Sequence, residues 1–394
     1  MKDGRLDIAV CVEYVRGWGR RVSEGIADYS HTNPRWRLRM FDSAVPAPAE
    51  LRRYDGFIWS VADERTAEAL LSAGKPVVNV ISDREFPGIV VVGSNHLACG
   101  QIAARHFITH HMPNFAFCGW SGMSFSDARQ ASFVRTLELN HFPCHIYAPK
   151  IGNLKWYLEH CINHELSLEP PDVKRLQKWI RKIPKPVGVF CSNDLRAWQL
   201  AEVCHREGVA VPDEVAILGA DNDSVVCSFT RVPLSSVDTD TFNTGRTAAG
   251  VLDDLIAGRR SCADGAVQVR PTGVIARSST EIFPVDPPWL ADILTYIRAN
   301  TVKGLTAADI VDYSGRSYGT IENAFKKVLG TSVQRTIMQA RLEIAEHLLS
   351  ATAIPISQVA QKSGFRSHQY FNNCFVKKNK VSPSEWRDKG AVFI

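Results

Sequence analysis

Two short stretches near the end of this chain constrain its fold more than anything else in it. One reads Asp309-Ile310-Val311-Asp312-Tyr313-Ser314-Gly315-Arg316-Ser317, the other Gln358-Val359-Ala360-Gln361-Lys362-Ser363-Gly364-Phe365-Arg366-Ser367. Each offers a short apolar helix, a Ser-Gly turn and a polar second helix. Such a unit sets one helix into a DNA major groove. Two units in tandem, about fifty residues apart, point to a regulator rather than an enzyme.

Charge placement agrees. The chain has 394 residues and a formal net charge of +5. Residues 285–394 hold fourteen basic and nine acidic side chains, so the remainder is neutral and the whole excess sits in the tail. That is the electrostatic footprint expected of a phosphate-facing domain. The ten cysteines are scattered, with no C-x-x-C pair, which suits buried free thiols in a reducing compartment and argues against a zinc site. No metal or cofactor is expected. Neither a signal-length apolar run near the N-terminus nor a membrane-length stretch is present, so a cytoplasmic protein with no membrane partner is expected.

Residues 6–280 alternate strand and helix signals. Strands are expected at 6–12, 54–61, 76–81, 88–93, 114–120, 186–191 and 215–219. Several are continuous apolar runs, as parallel strands covered on both faces require. Helices are expected near 21–30, 64–72, 97–109, 127–139, 196–207 and 243–257. The pattern is doubly wound α/β, and its length suits two lobes. Phe283-Pro284-Val285-Asp286-Pro287-Pro288 breaks it, since three prolines in five residues continue neither helix nor central strand. The expected division is a sensing domain at 1–283, a Pro-rich linker at 284–288 and an all-helical domain at 289–394. About seven helices are expected there, with a long one near 332–350.

Each second helix of the tail signatures ends on an aromatic followed by lysines, Phe325-Lys326-Lys327 and Phe375-Val376-Lys377-Lys378. The aromatic would plug a core and the lysines face phosphate oxygens. In the second unit His368, Gln369, Asn372 and Asn373 fall on one or two adjacent helix faces. Their amides can bond adenine bidentately. Singly, each is equally well an ordinary exposed polar residue.

The tail resembles the AraC-type DNA-binding domain over about residues 289–389. The second half carries the match: Ile356-Ser357-Gln358-Val359-Ala360, Ser363-Gly364-Phe365, Tyr370-Phe371, Phe375, Ser382-Pro383 and Trp386-Arg387. The resemblance implies two recognition helices in successive major grooves on one face of the DNA. It places base contacts at Gly319, Glu322 and Asn323 in the first unit and at His368, Gln369, Asn372 and Asn373 in the second. Gly319 stands where the family has a bulky side chain. Glu322 would repel phosphate unless it accepts from cytosine N4.

Residues 6–280 resemble the periplasmic-binding-protein-like core of LacI-type regulators. The match rests on Cys191-Ser192-Asn193-Asp194, Glu214-Val215-Ala216-Ile217-Leu218-Gly219-Ala220-Asp221-Asn222, Leu234-Ser235-Ser236-Val237 and Gly93-Ser94-Asn95. It implies a sugar cleft between lobes, at the C-terminal strand ends. Asp194 and Asp221 each end an expected strand there, where carboxylates bind hydroxyls by charge-assisted hydrogen bonds. Arg129 matches the family's sugar-contacting arginine. Arg20 and Trp18 follow the first strand, where Trp18 has an aromatic face for a sugar ring. Asn193, beside Asp194, is a further sugar-site candidate; the competing readings are helix caps for Asn193, Asp194 and Ser126, core or surface for Trp18, and a structural ion pair for Arg129.

A LacI-type sensor ahead of an AraC-type tail is the arrangement of bacterial activators of xylose operons, which this chain resembles over nearly its whole length. The resemblance implies a sugar-responsive regulator with D-xylose as the leading ligand, operator DNA as partner, a homodimer, and RNA polymerase as a further partner. Another sugar, or a repressor, fits the same residues. Asp194 and Asp221 could imitate a glycosidase pair, but no Walker A loop, G-x-S-x-G elbow, H-E-x-x-H or G-x-G-x-x-G supports an enzyme. A transport binding protein is opposed by the basic tail.

Overall fold

The computed structural model describes residues 5–13, 17–41, 45–81, 85–150, 172–352 and 354–391. Its first lobe is built on strands β1 (Leu6–Cys11), β2 (Trp36–Met40), β3 (Gly56–Trp59), β4 (Val77–Asn79), β5 (Val90–Ser94) and, from far along the chain, β11 (Val267–Val269). They lie in the order β11-β5-β4-β3-β1-β2, all parallel. Helices α1 (Gly17–Thr32), α2 (Pro48–Leu51), α3 (Glu64–Leu71) and α9 (Thr241–Ile256) complete it. Two apolar clusters, one around Ile8, Val10 and Ile58 and one around Phe57, Trp59 and Leu70, cover the sheet on both sides.

The second lobe repeats the plan. Its strands are β6 (Asn114–Cys118), β7 (Cys144–Tyr147), β8 (Val187–Cys191), β9 (Val215–Ala220), β10 (Ser235–Asp238) and β12 (Gly273–Ile275), in the order β12-β10-β9-β8-β6-β7. Only β12 runs antiparallel to its neighbour among them. Helices α4 (His96–Thr109), α5 (Ser124–Glu138), α6 (Val173–Lys182), α7 (Asp194–Arg206) and α8 (Ser224–Phe229) flank it. Strands β8 and β9 are buried at every residue. That is why their sequences read as unbroken apolar runs.

The chain crosses between lobes after β5, after β10 and after β11. Asn95 N donates to Val269 O at 2.7 Å and Thr272 N to Asp238 O at 2.9 Å. Ser94 Oγ donates to Thr239 O at 3.4 Å. The three crossings are thus tied to one another beside the C-terminal strand ends.

The tail is helical: α10 (Pro288–Asn300), α11 (Ala307–Ser314), α12 (Tyr318–Leu329), α13 (Val333–Ala351), α14 (Ile356–Lys362), α15 (His368–Asn379) and α16 (Pro383–Ala391). It has two cores. The helix α13 serves both, giving Val333 and Ile337 to the first and Leu342, Ala345 and Leu349 to the second. Its helical apolar spacing was visible in sequence; that one stripe divides between two cores was not. The Pro-rich segment is no free tether. Phe283 is buried in the first tail core, and Val285 packs beside it.

Candidate functional site

Strands β8 and β9 end at the lobe junction and deliver a cluster of charge there. Arg129, on α5, is buried; its Nη1 donates to Ser192 O at 2.6 Å and its Nη2 to Asp221 Oδ1 at 2.7 Å. Asp221 also accepts from Thr239 Oγ1 at 3.3 Å, on the second crossing. Asp221 and Asn222 hold φ of +99° and +53°. Positive φ is uncommon outside glycine, and Asp and Asn are among the side chains that tolerate it best. Asp194 is buried and accepts from Ser236 Oγ at 2.5 Å and Asp223 N at 2.7 Å. Burial, then the Asp221 carboxylate, pushes its pKa well above the usual range. Burial disfavours the Arg129 charge, yet Asp221 and its neighbours outweigh this and raise the Arg129 pKa.

Asp223 is the residue that sequence reasoning missed. Its Oδ1 caps α8, accepting from Val225 N and Val226 N, while Oδ2 accepts from Gly17 N of the first lobe at 3.0 Å. A Cβ on Gly17 would stand 2.2 Å from that carboxylate, so only glycine admits this contact. The signal available was the third residue of Asp221-Asn222-Asp223, a short acidic run ending a strand. His96 was also missed. It opens α4 beside Phe125, its rings 6.4 Å apart, and Phe125 lies 5.5 Å from the Arg129 guanidinium carbon. Burial, with the Arg129 charge, lowers the His96 pKa to about 3.

The structure therefore brings Arg129, Asp194 and Asp221 together. It gives Asn193 a capping role, with Oδ1 accepting from Arg196 N at 2.9 Å. Trp18 packs against the first-lobe core, and Arg20 lies exposed on the first turn of α1. Ser126 Oγ accepts from Trp120 N at 3.0 Å rather than capping α5. The Asp194 and Asp221 carboxylates are held by protein donors, an arrangement unlike a pair poised around a scissile bond. Among the described residues, no group of three potential ligands stands together to hold a metal.

In the tail the two helix-turn-helix units match in helix bounds and burial at an offset of fifty residues. Ser317 caps α12 by accepting from Thr320 N at 3.2 Å, and Ser367 caps α15 by accepting from Tyr370 N at 3.3 Å. Ile321 and Phe325 are buried in the first unit, Phe371 and Phe375 in the second. Gly364 locks the second unit to the first. Its φ is +86°, and a Cβ there would lie 2.2 Å from Thr301 O.

Gly319, Asn323, Lys326 and Lys327 are exposed on α12, as are His368, Gln369, Asn373 and Lys377 on α15. Four expected DNA-facing residues, Glu322, Lys326, Lys378 and Asn372, are paired within the tail or turned inward. Glu322 accepts from Val333 N at 3.1 Å and pairs with Lys326 at 3.4 Å, so its carboxylate braces the start of α13. That backbone bond, first among its neighbours, lowers its pKa. Asn372, at the matching position, is half-buried with Oδ1 turned inward. Lys378 pairs with Glu346 of α13 at 3.0 Å. A cavity of about 450 Å³ beside the first turn of α15 is lined by Lys303, Gln361, Arg366 and His368 among others.

Comparison with known proteins fits this geometry. Residues 104–280 match the periplasmic binding protein-like domain model and residues 310–389 the helix-turn-helix domain model. The xylose operon regulatory protein of Haemophilus influenzae is 25% identical over 98% of this chain and 99% of its own. That of Escherichia coli K12 is 26% identical over 95% and 94%. A solved structure of the xylose-binding transcription activator xylR covers 98% of this chain and 99% of its own, with 25% identity and a TM-score of 0.61. This chain is a DNA-binding transcription regulator. The regulator's sensing half also shares its fold with a LacI family regulator from Enterococcus faecium solved with ribose (19% identity, TM-score 0.54, 70% of this chain and 98% of that one).

Proposed function

We propose that this regulator is a sugar-responsive activator whose effector is a pentose, D-xylose in the first place, bound at the lobe junction. One observation carries the reading. A buried arginine and three carboxylates, Arg129, Asp194, Asp221 and Asp223, meet the first lobe at Gly17, on the same chain as twin recognition helices. Sugar hydroxyls both donate and accept. Asp221 and Asp223 accept from them, and Arg129 donates to a ring or hydroxyl oxygen. His96 and Phe125 supply a less polar wall. Because Asp223 also reaches Gly17, a sugar lodged there favours one separation of the lobes over another, the differential affinity that a switch requires.

The full-length likeness to two xylose operon regulatory proteins supports xylose among the pentoses. We place the domain boundary in the Pro-rich segment 284–288, the working form as a homodimer in the cytoplasm, and RNA polymerase among the partners. On DNA, Gln369, His368, Asn373 and Asn323 read bases, with Gly319 close to the groove floor, while Lys327 and Lys377 face phosphates.

Calorimetry against D-xylose, D-ribose, L-arabinose and D-glucose tests the effector. D-xylose should bind most tightly, and Asp221→Ala should weaken it at least tenfold. Tighter binding of another sugar would reassign the effector, and unchanged affinity in the variant would remove Asp221 from the site. A monomer by sedimentation at micromolar concentration, with operator present, would overturn the dimer.

A further inference from the structure

Helix α4 touches both functional ends of the molecule. Its first turn carries His96, beside Phe125 and Arg129 at the lobe junction. Its last turn carries His106 and ends at His110, about 20 Å away at 1.5 Å per residue. There the sensor meets the tail. The His110 ring stacks on Phe283, centroids 5.2 Å apart and planes 13° apart. Arg298 of α10 donates to His110 Nε2 and lies 5.5 Å from the centre of the Phe283 ring. His110 Nδ1 donates to His106 O at 2.5 Å, which leaves Nε2 as the acceptor that Arg298 needs. His106 Nε2 meets Thr280 Oγ1 at 3.1 Å. His106, His110, Phe283 and Thr280 are all buried.

At the other end α4 is coupled to Arg129 by main chain, not by a yielding side chain. A Cβ on Gly100 would lie 2.4 Å from Arg129 O, so the two helices touch at that residue's own backbone. One turn on, Ser132 Oγ donates to Leu97 O at 2.5 Å. Close-packed interiors transmit displacement rather than absorb it. The tail has a second anchor, on the hinge: His347 of α13 lies 3.2 Å, by Nδ1, from Thr272 O on the third crossing.

Resting on the reading that the effector binds at Arg129 and Asp221, we propose that α4 carries effector occupancy to the DNA-binding tail. The stack of His110, Phe283 and Arg298 is its output joint and His347 on Thr272 its fulcrum. Effector drawn against Arg129 shifts α5, α5 bears on α4 at Gly100, and the far end of α4 turns α10 about the anchor on the crossing. These are positioning residues: none touches sugar or DNA.

Two measurements on the full chain test this. In the first, operator affinity is measured with and without D-xylose for wild type, His110→Ala and Phe283→Leu, the last keeping an apolar side chain in the tail core. Both variants should bring the ratio of affinities to within about twofold of one while D-xylose affinity stays within about twofold of wild type. A ratio that survives in both overturns the proposal. In the second, no sugar is used. Amide hydrogen exchange is compared between wild type and Arg129→Lys. Faster exchange at 106–110 and 288–300 is expected; protection unchanged at both overturns the proposal. If wild type ignores every pentose on DNA, the effector reading fails, and the exchange comparison still decides the role of α4.

Discussion

At the residue scale, Glu322 and Gln369 make the sharpest contrast. Both lie on a recognition helix, and the resemblance assigns both to bases. Glu322 is occupied by Val333 N and Lys326, whereas Gln369 is exposed in the first turn of α15. Glu322→Ala should therefore lower stability by roughly 1 kcal/mol, the size of a lost helix cap, and leave sequence preference intact. Chemical denaturation together with a binding-site selection checks this; a changed preference at one base pair would return Glu322 to the DNA surface. Gln369→Ala should cost about 1–3 kcal/mol on the preferred site and little on random DNA. An equal loss on both would assign it to backbone positioning. Arg129, Asp194 and Asp221 were legible because strand-end acids and an arginine at family spacing are written in one dimension. Asp223, Gly17 and His96 were not. Their importance comes from a contact between residues 206 apart and from a helix crossing, neither of which leaves a local pattern. For Trp18 the sequence left core and site readings open, because the first turn of a helix does not say which face it buries; the side chain packs partly against the first-lobe core.

At the element scale, the strands that sequence located are those buried on both faces, such as β8 and β9. Missed were β2, β7, β10, β11 and β12. Their polarity is mixed or they are three or four residues long; β2 is an edge strand exposing most of Arg37–Met40. Helix α4 was found, but its two ends were not recognised as contacts. Its C-terminal turn makes an acid-sensitive joint. Burial first, then positive neighbours, holds the pKa of His106 and His110 well below the ordinary value; His106 faces Arg298, and His110 faces His106, Arg298 and His111. Arg298 in turn feels Glu343 and Glu281. A histidine neutral when folded and titrating near 6.5 when unfolded contributes fully above about pH 6.5. That contribution is lost as pH falls below it, by up to about 1.4 kcal/mol per pH unit for each group. Protonated His110 would also point a donor at Arg298. The melting temperature should thus fall between pH 7 and pH 5, and His110→Gln should flatten the slope. A slope unchanged by that substitution would contradict the assignment.

At the scale of the whole molecule, two lobes, three tied crossings and a two-core tail form one connected object. The Pro-rich segment, which sequence alone read as a linker, packs Val285 against the tail core, and Phe283 just before it lies in that core and stacks on His110 of the sensor. Proline content marks a break in pattern there, but could not reveal that the break is packed. This matters for function, because a loose tether would let the tail ignore the sensor. Occupancy of the lobe junction should change how the paired recognition helices meet DNA, which the affinity of the full chain for its operator at fixed salt, titrated with D-xylose, measures. Affinity should rise at least about fivefold, the lower end of ordinary allosteric coupling, and Asp221→Ala should abolish the rise. An affinity unchanged at saturating D-xylose, while calorimetry shows the sugar bound, would mean that the sensor does not control the tail.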